Sequence, residues 1–467
     1  MNLHESKPPR GKSALIVVVV AIVIAAIAGG IYLSPRFESQ PPQVQLSPDT
    51  DALGAGPLQI RVSDAGTGLK SIEVKLGEAT LAAEQFSQPV REKTVSVSLA
   101  SLQGIKEGPA MLRIVARDAS LFRGNEALVE KKISVDLTPP TLELVADDRY
   151  INFGGVGAIV YKASDDTATS GVRIGDAFFP GFRGVVKDHP DHSFVLFAHP
   201  YNADPKARAR LVATDKAGNT RELALGYELK NVKYHKSTLK LSDSFLQNKV
   251  APLLEDAAAR QGTPKEVFLA VNEKLRKQNE EQIVAVTRQA TPRILWHGAF
   301  AQLSNSKVEA NFADQRTYVY HGEPIDTAYH LGYDLSVTKQ YPIEAANGGT
   351  VAFAGPLGIY GNCVILDHGL GLYTLYGHLS SIGVKAGDTL QKQQILGKSG
   401  DTGLAGGDHL HYGVYLDGVA VLPVEWWDGK WIADNITPKL EGRSGAEIAA
   451  AQDPKRSRTG AHKKRRR

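Results

Sequence analysis

Between residues 44 and 232 the chain is dominated by short segments in which apolar and polar residues alternate. Alternation with period two places every second side chain on one face, which is typical of a half-buried β-strand. Clear examples are Ile60-Arg61-Val62, Ile72-Glu73-Val74-Lys75-Leu76, Val95-Ser96-Val97-Ser98-Leu99 and Leu112-Arg113-Ile114-Val115-Ala116. The 45 Gly and 24 Pro are spread along the chain, as many turns require. We therefore predict a mainly β fold.

Two motifs in this region occur twice. Ser63-Asp64 with Thr67-Gly68-Leu69 is echoed by Ser164-Asp165 with Ser170-Gly171-Val172, and Val115-Ala116-Arg117-Asp118 with Gly124-Asn125 by Val212-Ala213-Thr214-Asp215 with Gly218-Asn219. A repeat of about one hundred residues has the length of one β-sandwich. The segments resemble bacterial immunoglobulin-like domains, which predicts sandwiches at residues 44–136 and 139–235 around the junction Thr138-Pro139-Pro140. We interpret them as spacers; the alternative is a module that binds glycans or protein partners of the cell envelope.

Residues 14–33 are 20 consecutive residues without a charge. As a helix they would span about 30 Å, the thickness of a bilayer core. Lys7, Arg10 and Lys12 precede them, so the positive-inside rule predicts a cytoplasmic segment 1–13, a transmembrane helix and a periplasmic body. This favours a single-pass protein of a bacterial inner membrane. A signal peptide cleaved after Ala26-Ile27-Ala28 is the alternative, and it also exports the chain.

The basic charge is concentrated at the C-terminus. Lys455 to Arg467 contain eight basic and no acidic residues, so the remaining chain has 46 basic against 50 acidic side chains. We predict that residues 441–467 form a disordered tail. No nucleic-acid partner is expected, because export argues against one. The single cysteine, Cys363, excludes a disulfide framework and a cysteine-based zinc site.

Residues 242–289 show helical spacing of apolar residues: Leu246, Val250, Leu253 and Leu254, then Val267, Phe268, Val271 and Leu275. Thr263-Pro264-Lys265-Glu266 fits a capping box with proline at the first helical position. We predict a helical connector, either a hairpin or a kinked long helix. We also hypothesise that it covers the groove of the domain that follows.

From residue 291 to 440 the chain is again β-rich, and polar residues suited to metal chemistry gather there. They are His330, Asp334, His378, His409 and His411. His330 and Asp334 fall on nearly one face of a strand or a helix, and His409 and His411 share one side of a strand. Two imidazoles and one carboxylate are a normal donor set for catalytic zinc. The same set also forms the non-haem iron triad, the basis of an alternative interpretation as an iron oxygenase.

The motifs around these residues are similar to those of the lysostaphin-type, or LytM-like, zinc metalloendopeptidases. They are Tyr329-His330-Leu331-Gly332-Tyr333-Asp334, Leu375-Tyr376-Gly377-His378-Leu379, Gly400-Asp401-Thr402-Gly403 and Gly407-Asp408-His409-Leu410-His411. The resemblance implies a domain with an antiparallel β-sheet of the duplicated-hybrid-motif type. The sequence departs from the family at Gln391-Lys392-Gln393-Gln394, where a Gly-Gln pair is usual, which affects a turn and not the site.

By this resemblance His330, Asp334 and His411 hold one zinc ion, while His378 and His409 stand beside its open position as catalytic groups. Which of these two is the base stays open. The resemblance implies hydrolysis of peptide bonds in peptidoglycan stems or cross-links. The alternative is a non-catalytic relative that binds wall or divisome partners and activates another hydrolase. We expect His368 to be structural, and Trp426, Trp427 and Trp431 to pack the end of the domain onto its core.

Overall fold

The computed structural model of the protein describes residues 10–32, 40–99, 105–120 and 125–452. Contacts divide the chain into two compact units, Met1–Pro140 with Thr214–Thr220 and Thr141–Ala213 with Arg221–Arg467. Strands predominate in both units, which confirms the predicted mainly β fold.

The apolar N-terminal segment lies in helix α1, Arg10–Tyr32. A crossing requires about 20 consecutive apolar residues in one helix. Within the described ranges, no helix combines the length and the apolar character that a crossing needs. The prediction of a single-pass inner-membrane protein with a periplasmic body is therefore wrong. Residues 1–9 and 33–39, which include most of the predicted cytoplasmic segment and the last residue of the apolar run, lie outside the described residues.

The first unit contains two sheets. One has five strands in the order β2-β8-β7-β4-β5, and the other has three in the order β1-β3-β6. Both supply the same core, for example Ile60 and Val62 from β3 and Val74 from β4. The strands are β1 Gln43–Ser47, β2 Ala52–Leu53, β3 Pro57–Ser63, β4 Leu69–Leu76, β5 Ala79–Val90, β6 Glu92–Ser98, β7 Gly108–Asp118 and β8 Glu126–Val135. The immunoglobulin-like assignment stays a prediction.

The repeated Asp and Asn residues make the same hydrogen bonds in both copies. Asp118 accepts from the backbone N–H of Asn125 at 2.9 Å and from its side-chain amide at 2.9 Å. Asp215 accepts from the backbone and side-chain amides of Asn219 at the same distances. In both copies a buried carboxylate at the end of one strand thus holds the asparagine that precedes the next strand. Gly124 of the first copy lies outside the described residues.

In the second unit, two four-stranded sheets follow the orders β14-β15-β11-β9 and β13-β12-β16-β17, and β10 pairs with β18. Val160, Phe194 and Phe197 belong to their buried core. The strands are β9 Leu142–Ala146, β10 Tyr150–Asn152, β11 Val156–Ala163, β12 Thr167–Ile174, β13 Ala177–Pro180, β14 Phe182–Arg183, β15 His192–Ala198, β16 Arg210–Asp215, β17 Thr220–Ala224 and β18 Glu228–Lys230.

The predicted helical connector follows strand β19, Lys236–Leu241. Its helices are α2 Asp243–Phe245, α3 Pro264–Leu269 and α4 Arg276–Thr287, and a π-helical turn at Ala270–Leu275 joins the last two. Thr263 and Glu266 form the capping box expected from the sequence. The chain is helical from Asp243 to Leu253, is extended at Leu254, and is helical again from Pro264 to Thr287 with a π-turn.

The C-terminal domain is built on an eight-stranded sheet in the order β20-β23-β31-β27-β26-β25-β29, with β32 paired to β31. Strand β31 is buried at every position. Two three-stranded sheets, β19-β21-β22 and β24-β30-β28, flank it. The strands are β20 Lys307–Ala310, β21 Gln315–Tyr320, β22 Glu323–Tyr329, β23 Tyr333–Ser336, β24 Pro342–Glu344, β25 Gly349–Pro356, β26 Asn362–Gly369, β27 Leu372–Leu379, β28 Ser381–Ile382, β29 Thr389–Leu390, β30 Ile395–Lys398, β31 Leu410–Leu416 and β32 Val419–Val421.

The chain ends in short helices: α5 Pro423–Trp427, α6 Gly429–Asn435, α7 Thr437–Leu440 and α8 Gly445–Gln452. Helix α8 lies within the segment that we expected to be a disordered tail. Ser444 and Glu447 cap its start, because each side chain accepts a hydrogen bond from the other residue's backbone N–H. The basic residues 455–467 lie outside the described residues.

A buried ion pair joins the C-terminal helices to the second sandwich. The Lys439 ammonium group contacts a carboxylate oxygen of Asp148, with side-chain exposures of 1% and 6%. The ammonium also donates to the carbonyl of Asn435 at 2.6 Å, and Asp148 accepts from the backbone N–H of Ala158 at 2.6 Å. Burial raises the pKa of Asp148, and Lys439 opposes that rise. Removing one partner alone would leave the other charge buried without compensation.

We expect Lys439→Met to lower the free energy of unfolding by about 3–5 kcal/mol, because it leaves the Asp148 carboxylate without its cation. The double variant Lys439→Met, Asp148→Asn should recover a large part of that loss. Urea unfolding of the three proteins measures this coupling. Equal stability of the double and the single variant would contradict the assignment.

His368 is fully buried beside the aromatic cluster of the C-terminal domain. Its Nδ1 donates to the Gly348 carbonyl at 2.7 Å, and its Nε2 lies 2.7 Å from the Thr374 hydroxyl. Its ring packs against Phe300, which also contacts Trp296 and Trp426. Burial lowers the pKa of His368 to about 4. These contacts hold the imidazole neutral and far from solvent.

Acid should therefore destabilise the domain through His368. Because its folded-state pKa lies below the ordinary value, the unfolded chain binds the proton first as pH falls below 6.5. Between pH 7 and pH 5 this group should cost about 2 kcal/mol of stability. We expect His368→Gln to be less stable at pH 7 but to lose about 2 kcal/mol less over that interval. Urea unfolding followed by tryptophan fluorescence tests this, and parallel pH curves would contradict it.

Candidate metal centre

Three predicted site residues meet at the centre of the eight-stranded sheet. Asp334 on β23 lies directly opposite His411 on β31, and His330 lies just before β23 in the chain. The Asp334 Oδ1 atom lies 2.9 Å from His330 Nε2 and 3.0 Å from His411 Nδ1. The two nitrogen atoms are 3.0 Å apart. The three ligand atoms therefore form a nearly equilateral triangle.

Neighbouring groups orient two of these side chains. His330 Nδ1 lies 3.0 Å from the Asn311 carbonyl. A carbonyl only accepts, so the ring proton is on Nδ1 and the lone pair of Nε2 points into the triangle. The Arg316 guanidinium donates to Asp334 Oδ2 at 2.9 Å and leaves Oδ1 facing the histidines.

The ring of His411 rests on the backbone of Gly332. A Cβ atom at Gly332 would lie 2.8 Å from His411 Nε2 and 2.5 Å from the Tyr412 carbonyl. Glycine in the His-Leu-Gly-Tyr-Asp motif therefore makes room for the imidazole. His411 Nε2 is buried and has no hydrogen-bond partner among the described residues. Its Nδ1 is the nitrogen that the fold directs at the other two residues.

His378 and His409 lie beside the triangle. Their ring centroids are 4.7 Å apart, and His409 Nε2 lies 3.5 Å from Asp334 Oδ1. Each Nδ1 lies 2.8 Å from a backbone carbonyl, that of Thr402 for His378 and that of Gly407 for His409. Both rings therefore carry their proton on Nδ1 when neutral. His378 has a φ of +61°, a strained backbone conformation of the kind that clusters at active sites.

Burial and the neighbouring charges decide which groups are charged. Burial lowers the pKa of His378 to about 3, and that of His411 to about 4. Burial would raise the pKa of Asp334, but His330 and the hydrogen bonds from the histidines hold it well below its ordinary value. Burial also lowers the pKa of His409, but Asp334 outweighs this effect and the net shift is upward. At neutral pH the cluster thus combines an ionised carboxylate with neutral imidazoles at His378 and His411.

The donor set fits a divalent metal ion. His330, Asp334 and His411 each offer one ligand atom, and all three lie within 4.8 Å of one another. Tetrahedral zinc with bonds near 2.0–2.1 Å requires donor separations of about 3.3 Å, slightly wider than this triangle. Three buried electron-rich atoms in such proximity repel each other unless a proton or a cation lies between them.

Comparison with known protein families matches residues 328–423 to peptidase family M23. All five predicted site residues fall within this match. Residues 328–423 form a peptidase family M23 domain. The resemblance to the lysostaphin-type and LytM-like enzymes is thereby confirmed.

Three relatives share parts of this chain. An uncharacterised metalloprotease of Haemophilus influenzae is 43% identical over 122 residues, which cover 26% of this chain and 23% of that protein. The stage II sporulation protein Q of Bacillus subtilis is 35% identical over 101 residues, 21% of this chain and 36% of that protein. The peptidoglycan DD-endopeptidase ShyA of Vibrio cholerae is 33% identical over 115 residues, 25% and 26% of the two chains. The chain thus spans 23–36% of the length of these three relatives.

A groove of about 680 Å³ opens onto the five residues of the M23 domain. Phe245, Phe268 and Arg276 of the connector line it as well. The connector therefore borders the groove, while the hypothesis that it covers the groove stays a prediction. Its buried side chains Val267 and Phe268 share one core with residues of the M23 domain, so it is an integral part of this unit.

Sequence reasoning missed the groups that orient the site. The local sequence around Arg316 is that of an ordinary strand, and its guanidinium contacts Asp334 on a strand of a different sheet. The Asn311 and Thr402 carbonyls have no signature in the side chains. The strained φ of His378 also had no local signal beyond the preceding Gly377.

We expect Gly332→Ala to weaken zinc binding at least about 10-fold, because the new methyl group displaces the His411 ring from the other ligands. Competition with a chromophoric chelator measures the affinity. Gly406→Ala is the matched control, since its Cβ would meet no atom within 4 Å. Equal losses in the two variants would contradict the steric argument.

Proposed function

We propose that the M23 domain is a zinc metalloendopeptidase that hydrolyses peptide bonds in peptidoglycan stems or cross-links. One observation carries the proposal: three ligand atoms converge beside two further imidazoles whose protons are fixed by backbone carbonyls. The names of the relatives support the substrate class, since ShyA is called a peptidoglycan DD-endopeptidase and another relative a metalloprotease. We place the catalytic domain at residues 291–440.

In this proposal His330 Nε2, Asp334 Oδ1 and His411 Nδ1 hold the zinc ion. Bound zinc supplies an activated water molecule, whose pKa falls towards about 7, and a Lewis acid for the amide carbonyl. The Asn311 carbonyl and Arg316 keep two of the ligands in their orientation. Zinc is favoured over the iron of an oxygenase triad because that alternative gives His378 and His409 no role.

His378 and His409 are the proposed catalytic residues. Each has its proton held on Nδ1 by a carbonyl, which leaves Nε2 as the basic nitrogen. One Nε2 takes a proton from the attacking water, and a protonated imidazole returns a proton to the leaving amine. The second ring, when protonated on Nε2, donates to the carbonyl oxygen and stabilises the negative charge that develops there. The assignment of base and stabiliser between the two stays open.

A second candidate function is a non-catalytic regulator that binds wall or divisome partners. The observation that favours it is the similarity to the stage II sporulation protein Q, whose name states no hydrolytic activity. Such a protein would hold zinc in the same triangle but cut no bond. Substrate cleavage therefore separates the two candidates.

Zinc-loaded full-length protein incubated with purified sacculi should release new amino termini, read by mass spectrometry. We expect chelation to abolish release, and His378→Asn and His409→Ala to reduce the rate by about 10²–10⁴-fold, because each removes a proton-transfer group. Asparagine is chosen at position 378 because it tolerates positive φ.

His297→Ala, which removes an exposed histidine outside the groove, is the matched control and should cleave at the wild-type rate. Metal analysis accompanies each assay. A folded protein that binds zinc and releases no termini would reject the peptidase and support the regulator. Iron in place of zinc in the isolated protein would reject the assigned metal.

A further inference from the structure

A second group of metal-binding side chains lies outside the M23 domain. The turn between β14 and β15 of the second sandwich brings together His189, Asp191 and His192. Each offers one ligand atom, and these atoms lie within 4.8 Å of one another. His192 Nδ1 lies 2.9 Å from Asp191 Oδ1, and the two imidazole centroids are 4.4 Å apart.

The backbone holds this turn in place. The N–H of His192 donates to the His189 carbonyl at 3.1 Å, and the N–H of Gly184 donates to the His192 carbonyl at 3.0 Å. His192 is buried at the start of β15, where it pairs with Lys162 of β11. Two ligands therefore lie close to a rigid strand, which limits the conformational entropy that ion binding would cost.

The surrounding charges leave one carboxylate oxygen available. Lys162 Nζ lies 3.5 Å from Asp191 Oδ2, whereas Oδ1 faces His192. The hydrogen bond from His192 lowers the pKa of Asp191, so the carboxylate is ionised at neutral pH. His189 is half-buried and adds an imidazole donor to this pair.

We propose that His189, Asp191 and His192 form a second binding site for a divalent transition-metal ion of the zinc class. Imidazole nitrogens with one carboxylate and no thiolate suit zinc and its neighbours rather than magnesium or calcium. Even without an ion, a hydrogen bond between His192 and Asp191 explains why these two side chains lie together. It does not account for His189, whose ring turns towards the same pair.

The position of the turn suggests a structural purpose for the ion. The N–H of Lys187 donates to the Leu440 carbonyl at 2.8 Å. A Cβ atom at Gly442 would lie 2.6 Å from the His189 ring. The turn thus packs against the end of helix α7, and an ion on its histidines would stiffen that contact.

Metal analysis of the full-length chain tests the proposal with zinc chloride alone as the probe. The protein is stripped with a chelator, loaded, and passed by gel filtration into metal-free buffer. We expect about two zinc ions per wild-type chain, and about one in His189→Ala and in Asp191→Asn. The exposed position of Asp191 keeps the second variant folded even if the first is damaged.

The double variant His330→Ala, His411→Ala separates the two sites and should retain about one zinc ion. The control His321→Asn alters an exposed histidine outside both groups and should retain two. A wild-type zinc content that neither His189→Ala nor Asp191→Asn lowers would overturn the second site. A content that the double variant leaves unchanged would instead refute the metal centre of the M23 domain.

Discussion

The convergence of three electron-rich ligand atoms within a buried sheet is the constraint on which the M23 domain depends. His411 lies on the central strand β31, with Asp334 opposite it on β23 and Gly377 opposite it on β27. The regular spacing of paired strands places these side chains within reach of one another. A proton or a cation between them relieves their mutual repulsion, so the fold builds a site suited to a metal ion.

Two buried charged residues elsewhere in the same unit, Glu425 and Lys439, have partners within the chain. Glu425 accepts from Asn152 and from the backbone N–H of Val156, both at 2.8 Å, and Lys439 meets Asp148. Those groups are satisfied by partners within the chain and serve to fasten the C-terminal helices to the second sandwich. In the described part of the chain, His411 Nε2 has no hydrogen-bond partner, and the backbone of His378 is strained. Both features raise the free energy of the folded state, and both lie at the groove.

Local patterns predicted local structure well. The alternation of residues 72–76 reappears in the burial of β4, and the capping box of Thr263 and Glu266 is present at α3. The same reasoning failed where charge or hydropathy was read without context. In the described part of the chain no helix meets the needs of a membrane crossing, and the predicted tail begins with a capped helix α8. In the second case Ser444 and Glu447 form a capping pair ahead of the basic run and stabilise the start of the helix.

By itself the sequence determined which side chains can take part in metal chemistry, and it predicted that His409 and His411, two residues apart, face the same side of extended backbone. These are properties of residue type and of the two-residue period of a strand, which are local. Only the tertiary structure decided that Asp334 faces His411, that Arg316 and the Asn311 carbonyl orient the ligands, and that the connector borders the groove. Those contacts join residues far apart in the chain, and strand order and loop packing set their distances.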